Sequence, residues 1–239
     1  MTDPLPHAIV VGASSAIGMA LISLWQASGD YRVHAISRQS TASGADDQWL
    51  TDYSEDDLER IAAAIDEQPG QLARLVICNG ILHGPNVRPE RALKQLSAKA
   101  MLSVLEVNTV LPLMCLRAFT PLIKEAPSPR VAVLSARVGS IGDNGLGGWY
   151  SYRASKAALN MGLKCTAIEW ARLNKRTGLM AFHPGTTDSP LSKPFQRGVP
   201  DDKLFTPGFV ATRLVALLDA LPASSELAYL DWDGKAIPW

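Results

Sequence analysis

Short apolar runs alternate along this chain with longer amphipathic stretches, and this alternation restricts the possible folds more than any other feature of the sequence. The short runs predict buried strands at 8–12, 31–37, 74–80, 130–136, 177–185 and 228–232. The longer stretches predict helices at 16–27, 54–67, about 98–123, 152–173 and 207–221. Alternating strands and helices form a parallel sheet with helices on both faces. We therefore expect an α/β fold with a doubly wound parallel sheet, in a single domain over residues 1–239.

Turn-forming and polar residues follow several of the predicted strands. They are Gly12, Ser37 with Arg38, Asn79 with Gly80, Ser135, and Pro184 with Gly185. In open α/β sheets, ligands bind outside the carboxyl ends of the strands. The sequence therefore predicts one crevice that these residues line.

The composition excludes several classes of protein. The formal net charge of the 239 residues is zero and no long run of one sign occurs, which argues against binding to nucleic acid or to an anionic membrane surface. The first residues lack the pattern of a signal peptide, and no uninterrupted apolar run reaches the roughly 18 residues of a membrane span. Cys78, Cys115 and Cys165 form no CxxC motif, so we expect buried, reduced thiols and a cytoplasmic location.

The segment "AIVVGASSAIGMAL" predicts a strand, a turn of small residues and then a helix. Gly12 permits the tight turn, and Gly18 allows the helix to approach the strand closely. Free N–H groups at the start of a helix favour a phosphate, and Ser14 and Ser15 can add hydroxyl donors. The spacing is GxxxAxG rather than GxGxxG, so an ordinary turn between a strand and a helix is the alternative.

The end of the second strand distinguishes between the two nicotinamide dinucleotides. An acidic residue there suits the ribose 2′-hydroxyl of NAD, whereas an arginine suits the 2′-phosphate of NADP. Ser37 and Arg38 stand at this point without an acid, which favours NADP(H) over NAD(H); a solvated surface arginine is the alternative. Asp52 allows two interpretations, a contact with the adenine edge or a cap for the helix that begins near Ser54.

Lys156 lies four residues after Tyr152, so on a helix the two side chains project from one face. Tyr150 falls off that face. A free phenol has a pKa near 10, and a nearby ammonium group lowers it. We therefore expect Tyr152 to act as general acid or base. A surface pair at this spacing is the alternative.

The motifs "GASSAIG", "CNG" at 78–80, "YRASKAALN" and "HPG" at 183–185 occur in this order, and together they resemble the short-chain dehydrogenase/reductase family. The segments "GGWYSYRASKAALN" and "DGKAIPW" resemble more closely its C-factor-like and sniffer-type carbonyl reductases. The resemblance implies a Rossmann-like sheet, an NAD(P)-dependent oxidoreductase and a small-molecule carbonyl or alcohol substrate, with no metal. It makes Tyr152 the acid or base and Lys156 the group that binds the nicotinamide ribose.

The resemblance also implies a cofactor site. Asn79 would hold the cofactor, Pro184, Gly185 and the main chain of Thr187 would face the carboxamide, and Ser189 would lie near the diphosphate. The full expected set is Gly12, Ser14, Ser15, Ile17, Gly18, Arg38, Asp52, Asn79, Gly80, Tyr152, Lys156, Pro184, Gly185, Thr187 and Ser189.

Asn108 is a polar residue within an apolar helical pattern. Pro112 lies four residues further on and has no N–H, so the carbonyl of Asn108 loses its normal helical partner. The family uses an asparagine at the matching place in a proton relay toward the lysine. A simple kink with a solvent-facing asparagine is the alternative.

The catalytic serine of the family is missing from its usual place. The segment "VLSARVGSIG" has Ser135 at the first of two serine positions and Ala136 at the second, which is the catalytic one in the family. Ser135, Ser140 or no serine then stabilises the oxyanion, and Ser135 would face the opposite side of a regular strand. The missing serine also motivates a second hypothesis, a dinucleotide-binding signalling or sensor protein with little turnover.

The remaining expectations concern loops and partners. The segment 190–206 follows the HPG motif and is expected to form a substrate lid. The helices at 98–123 and 152–173 carry apolar residues on more than one face, which predicts a homodimer or homotetramer. His83 and His183 have no metal-ligand spacing and are expected to be structural or to line the crevice.

Overall fold

A single large sheet, flanked by helices, forms the centre of the computed structural model, which describes residues 3–41, 44–224 and 226–239. The strands are β1 (His7–Val11), β2 (Arg32–Ser37), β3 (Asp47–Leu50), β4 (Leu72–Ile77), β5 (Arg130–Leu134), β6 (Gly178–His183), β7 (Thr186–Thr187), β8 (Leu204–Phe205) and β9 (Ala228–Asp231). The helices are α1 (Ala16–Ser28), α2 (Glu55–Asp66), α3 (Ala98–Leu105), α4 (Leu111–Glu125), α5 (Tyr150–Leu173) and α6 (Pro207–Ala220). All the predicted elements are present, and the predicted ends lie within three residues of the observed ones.

The main sheet has seven strands in the order β3-β2-β1-β4-β5-β6-β9, and every neighbouring pair is parallel. The carboxyl ends of all seven strands therefore lie at one edge. The order reverses between β1 and β4, which is the position where doubly wound sheets bind their ligands. The predicted Rossmann-like α/β fold is confirmed.

Helices cover both faces of this sheet, because its central strands are apolar on both sides. One core contains side chains of α2, α4 and α5, among them Leu58, Phe119 and Trp170. The other contains side chains of α1 and α6, among them Trp25 and Leu214. Burial of large apolar side chains on both faces is the main favourable term in the stability of the fold.

The helical run Ala98–Glu125 is long and apolar enough to cross a membrane by length and composition alone. Since 44% of its most apolar window is buried within the protein, and its α4 part contacts α2 and α5, it has the character of a core helix. The expectation of three buried thiols is wrong for one of them. Cys78 and Cys115 are buried, but Cys165 is exposed on α5.

A small two-stranded ladder stands outside the main sheet. β7 pairs with β8 in parallel, and the N–H of Asp188 donates to the carbonyl of Phe205 at 2.8 Å. The expected lid, 190–206, leaves and returns at this ladder, and it contains two short 3-10 turns, Lys193–Phe195 and Asp201–Lys203. The two ends of the lid are therefore held side by side.

Candidate active site

The turn between β1 and α1 has no room for side chains at its two glycines. Gly12 has a φ of 78°, and a β-carbon there would lie 2.9 Å from the backbone nitrogen of Asn79. A β-carbon at Gly18 would lie 2.7 Å from the carbonyl oxygen of Gly12. Ser15 is the N-cap of α1, and its hydroxyl accepts the N–H of Gly18 at 3.1 Å. Glycine at both positions therefore lets the turn approach the strand closely and leaves free space at the N-terminus of α1. We call this turn, residues 12–18, the glycine cradle. The partial positive charge at the helix N-terminus fits a dinucleotide phosphate.

The other predicted residues of this region surround the cradle in different ways. Ser14 is exposed at the turn, whereas Ile17 is buried beneath it in the core. The side-chain oxygen of Asn79 is buried and has no hydrogen-bond partner among the described residues. An unpartnered buried acceptor at the mouth of the β1 and β4 strands is suited to a hydroxyl group of a ligand.

The end of β2 places an exposed cation beside the cradle. Arg38 is exposed, follows the buried Ser37, and has no ion-pair partner in the described part of the chain. Asp52 is also exposed, and its Oδ1 accepts the N–H of Ser54 at 2.8 Å just before α2. Hydrogen bonds from Ser54 lower the pKa of this carboxyl. In the structure, Asp52 therefore orders the start of a helix.

Tyr152 and Lys156 lie on the first turns of α5, and Tyr150 is exposed away from them. Lys156 is 2% exposed, and its Nζ donates to the carbonyl of Leu134 at 2.8 Å. Burial lowers the pKa of Lys156 to about 8. The lysine is therefore still mainly protonated at neutral pH.

The expected lowering of the Tyr152 pKa is wrong for the protein by itself. Burial, followed by the neighbouring Tyr229 phenol, raises the pKa of Tyr152 to about 12. The physical reason is that a poorly solvated site favours the neutral form of both the phenol and the amine. Tyr152 is thus a protonated donor at neutral pH.

Asn108 lies in a π-helical turn, Glu106–Val110, between α3 and α4. The N–H of Leu111 reaches back to the carbonyl of Glu106, five residues away, in the turn that precedes Pro112. The Asn108 side chain is fully buried rather than facing solvent. Its Oδ1 accepts the N–H of Ile81 at 2.7 Å, and its Nδ2 donates to the carbonyl of Ile81 at 2.9 Å and to the hydroxyl of Ser155 at 3.0 Å.

Gly80 lies next to the side chains of both Asn108 and Lys156. A β-carbon at Gly80 would lie 3.5 Å from Oδ1 of Asn108 and 3.7 Å from Nζ of Lys156. The end of β4, the π-helical turn and α5 therefore meet at one point. Sequence reasoning predicted each of these residues, and the structure brings them together.

Both candidate serines are buried and hydrogen-bonded to protein groups. Strand β5 ends at Leu134, and the Ser135 hydroxyl donates to Oδ1 of Asn160 at 2.6 Å. Ser140 is buried, and its oxygen accepts the N–H of Asp143 at 3.0 Å. Ala136 remains extended, with φ −157° and ψ 145°, so its side chain points away from that of Ser135.

Three aromatic rings form a wall beside Tyr152. The ring of Trp149 lies 6.2 Å from that of Tyr152 and 5.2 Å from that of Phe195 in the lid. His83 lies 5.7 Å from Phe195, and its Nε2 lies 3.1 Å from the carbonyl oxygen of Pro190. The segment 190–206, the expected lid, thus packs against this wall through Phe195 and Pro190. His83 belongs to this wall, which is one of the two positions expected for it.

The segment after β6 provides the other side of the crevice. Gly185 has a φ of 70°, and a β-carbon there would lie 2.6 Å from the Phe205 ring, directly after Pro184. The main-chain oxygen of Thr187 accepts the hydroxyl of Ser189 at 3.2 Å, while the Thr187 hydroxyl is buried and unpartnered among the described residues. His183 stands at the end of β6, and burial lowers its pKa to about 4. Within the described residues, no three His, Cys, Asp or Glu side chains form a group that could hold a metal ion.

Sequence reasoning missed two residues near the site. Glu90 is buried and accepts hydrogen bonds from Ser151 at the start of α5. Tyr229 of β9 donates its hydroxyl to the carbonyl of Ala136 at 2.7 Å. Neither belongs to a motif, because each reaches the site only through the fold.

Comparison with known proteins gives one family. A family model described as short chain dehydrogenase matches residues 6–199. The chain is 29% identical over 188 residues to 1-hydroxy-2-glutathionyl-2-methyl-3-butene dehydrogenase of Rhodococcus sp. strain AD45. This alignment covers 78% of this chain and 76% of that protein. It is 32% identical over 133 residues to the C-signal protein of Myxococcus xanthus, covering 56% and 75% respectively.

Solved structures share the fold. The NADPH-bound carbonyl reductase from chicken fatty liver superimposes with a TM-score of 0.82 at 23% identity, covering 99% of this chain and all of that one. The carbonyl reductase Sniffer of D. melanogaster gives a TM-score of 0.82 at 20% identity, with the same coverage. At 20–23% identity, these similarities show a shared fold.

Proposed function

Because the chain belongs to the short-chain dehydrogenase family, and is therefore an oxidoreductase that binds a nicotinamide dinucleotide, we propose that it is an NADP(H)-dependent reductase of small carbonyl compounds. The reverse reaction would oxidise the corresponding secondary alcohols. The observation that carries this proposal is the meeting of Lys156, Asn108 and Gly80 beside Tyr152, at the same sheet edge as the glycine cradle. We also propose that residues 1–239 form one domain and that 190–206 is its substrate lid.

The dinucleotide would lie across the edge of the sheet. Gly12 and Ser15 would receive its diphosphate, Arg38 its 2′-phosphate, and Asn79 a ribose hydroxyl. When bound, the nicotinamide supplies or accepts the hydride. Pro184, Gly185 and the main chain of Thr187 would border its carboxamide end, and Ser189 would lie near the diphosphate. The NADPH-bound carbonyl reductase from chicken with the same fold supports this choice of cofactor.

The protein groups would handle the proton. Tyr152 is protonated at neutral pH and would donate its proton to the carbonyl oxygen as the alcohol forms. The Lys156 ammonium, anchored on Leu134, would stabilise the resulting phenolate. Asn108 would hold the strand end and α5 in register through Ile81 and Ser155. Since Ala136 replaces the serine that the family uses and the Ser135 hydroxyl is bonded to Asn160, the carbonyl oxygen would depend mainly on the Tyr152 phenol.

The test is NADPH consumption against a panel of aldehydes, ketones and diketones. Tyr152→Phe removes only the acidic hydroxyl, and we expect kcat to fall by about 10²–10⁴-fold with NADPH affinity unchanged. Tyr150→Phe is the matched control, because the exposed neighbour on the same helix should leave kcat unchanged.

Two outcomes would contradict the proposal. Equal activity of the Tyr152→Phe variant and the wild type would remove the phenol from the mechanism. Tight NADPH binding by the wild type with no turnover of any carbonyl would instead support a sensor.

We further propose a homo-oligomer formed through the outer face of α3, α4 and α5. Leu102 is 67% exposed and Met161 is 66% exposed on these helices. Large apolar side chains on one surface mark protein contacts. Sedimentation of wild type and Met161→Glu tests this proposal: we expect an oligomer and a monomer respectively, and a monomeric wild type would refute it.

A further inference from the structure

The helix that carries Tyr152 begins in an unusual way. Gly147, Gly148 and Trp149 have φ values of 65°, 65° and 51°, so three successive residues are left-handed. For tryptophan this conformation costs on the order of 1–2 kcal/mol. Trp149 is the N-cap of α5 and offers no side-chain acceptor, and the first turn contains no acidic residue. The first N–H groups of α5 therefore need acceptors from elsewhere.

Glu90 supplies these acceptors from a segment 61 residues earlier than Ser151 in the chain. Its Oε2 accepts the N–H of Ser151 at 3.1 Å, and its Oε1 accepts the Ser151 hydroxyl. The main-chain oxygen of Glu90 also accepts the N–H of Trp149. A carboxylate at a helix N-terminus interacts favourably with the helix dipole. Glu90 thus caps α5 in place of the missing local cap.

The cap is buried and specific. Glu90 and Ser151 are each 4% exposed. A buried carboxylate is costly unless donors surround it, and here the N–H and the hydroxyl of Ser151 both bond to it. A β-carbon at Gly148 would lie 3.3 Å from the Glu90 carbonyl oxygen, so the backbone also approaches closely at this point.

The segment that carries Glu90 is fastened at both ends to elements that position the site. Ile81, at its start, makes two hydrogen bonds with the Asn108 side chain. Between the two ends, Gly84 and Val87 form a tight bridge. Ser155 receives the Asn108 amide and donates to the carbonyl of Tyr152 at 2.8 Å. The first two turns of α5 are therefore held at Ser151 by Glu90 and at Ser155 by Asn108.

We propose that Glu90 is a positioning residue for Tyr152: its carboxylate sets the start and rotation of α5, and with them the place of the phenol hydroxyl. This inference rests on the proposed function, since it assigns Glu90 to the step that Tyr152 performs. Displacement of a reacting group by about 1 Å can cost about 10²-fold in rate. The position of the cap, one residue before Tyr152, makes the phenol sensitive to its loss.

The experiment compares Glu90→Ala, Glu90→Gln and the control Glu169→Ala, an exposed glutamate on the same helix. Glu90→Ala should lower kcat by about 10–100-fold while KM and Kd for NADPH stay within about twofold. Glu90→Gln keeps one oxygen acceptor and should fall between Glu90→Ala and the wild type. In hydrogen exchange, the amides of 150–155 should lose protection in Glu90→Ala and keep it in Glu169→Ala.

Three results would overturn the inference. One is an unchanged kcat in Glu90→Ala. Another is unchanged protection of the 150–155 amides in Glu90→Ala. The third is a parallel loss of NADPH binding and of protection throughout the protein, which would show a purely structural role. If Glu90→Ala does not fold, Glu90→Gln decides by the same criteria.

Failure of the proposed function is recognised separately. A wild type without turnover on any carbonyl would remove the reductase proposal. Hydrogen exchange at 150–155 would still decide whether Glu90 holds α5 in place.

Discussion

Arg38 presents an exposed guanidinium at the end of β2, beside the glycine cradle and without a carboxylate partner among the described residues. If it binds the 2′-phosphate, Arg38→Ala should raise the Kd for NADPH by about 10–100-fold, the worth of charge-assisted hydrogen bonds. The Kd for NADH, which lacks this phosphate, should change by less than about twofold. Fluorescence titration measures both constants. Arg172→Ala on α5 is the control, and equal losses for the two cofactors would refute the assignment.

Ala136 gives a second prediction at the scale of single residues. Restoring a hydroxyl with Ala136→Ser should raise kcat/KM by about 10–100-fold, because one oxyanion donor is typically worth about 10²–10³. Ser135→Ala should instead reduce stability by about 1 kcal/mol through the lost bond to Asn160 and leave kcat/KM little changed. Steady-state kinetics and urea unfolding measure the two effects. Inactivity of Ser135→Ala, with no gain from Ala136→Ser, would make Ser135 the donor after all.

At the scale of elements, Pro112 follows the π-helical turn that places Asn108 in the site. Pro112→Ala restores an N–H that can bond to the Asn108 carbonyl, so the π-helical turn can become α-helical. This change would rotate Asn108 away from Ile81 and Ser155. We expect kcat to fall by at least about tenfold, and the thermal midpoint to fall by a few degrees because the buried Asn108 side chain loses its hydrogen bonds.

The control for this variant is Pro121→Ala, which also replaces a proline inside α4 but at an exposed position. We expect it to keep full activity. Equal kcat values for the two variants would show that the π-helical turn does not matter to the reaction.

The elements themselves could be predicted because their signals are local. The helix predicted from residue 207 begins there, at a local signal: Pro207 stands in its first turn, and the Thr206 hydroxyl accepts the N–H of Phe209 at 3.2 Å. Pro112 predicted a break in the helical hydrogen bonding at Asn108. It did not predict that the Asn108 side chain would be buried. The Glu90 cap could not be predicted, since it joins residues 61 positions apart that share no pattern. The raised pKa of Tyr152 depends on burial, which spacing alone does not give.

At the scale of the whole molecule, two buried histidines near the opposite edge of the sheet couple stability to pH. Trp49 can only donate, so its Nε1–H makes Nδ1 of His34 an acceptor at 3.3 Å, although Asp47 lies equally near. Nε2 of His34 then donates to Nδ1 of His7 at 2.9 Å. Burial, and then His7, lowers the pKa of His34 to about 4. Burial also lowers the pKa of His7, so both rings are neutral in the folded protein at pH 7.

This histidine pair gives a stability prediction. The unfolded protein binds more protons than the folded one between pH 6.5 and about 4, so stability falls as the pH drops through this window. His34 alone should cost about 2 kcal/mol between pH 7 and pH 5. Urea unfolding at both pH values measures the loss. His34→Gln should be less stable at pH 7 but show a shallower pH dependence, and an unchanged dependence would contradict the assignment.

The parallel ladder of β7 and β8 has a consequence for how the protein handles its substrate. Because Thr186 and Leu204 are already neighbours, the chain between them is a closed loop before any ligand arrives. The loss of conformational entropy on closing this loop therefore occurs during folding and not during substrate binding. If 190–206 is the substrate lid proposed above, exchange of substrate would require only the middle of this loop to move, on the microsecond-to-millisecond timescale of such motions, while the dinucleotide side of the crevice would keep its shape.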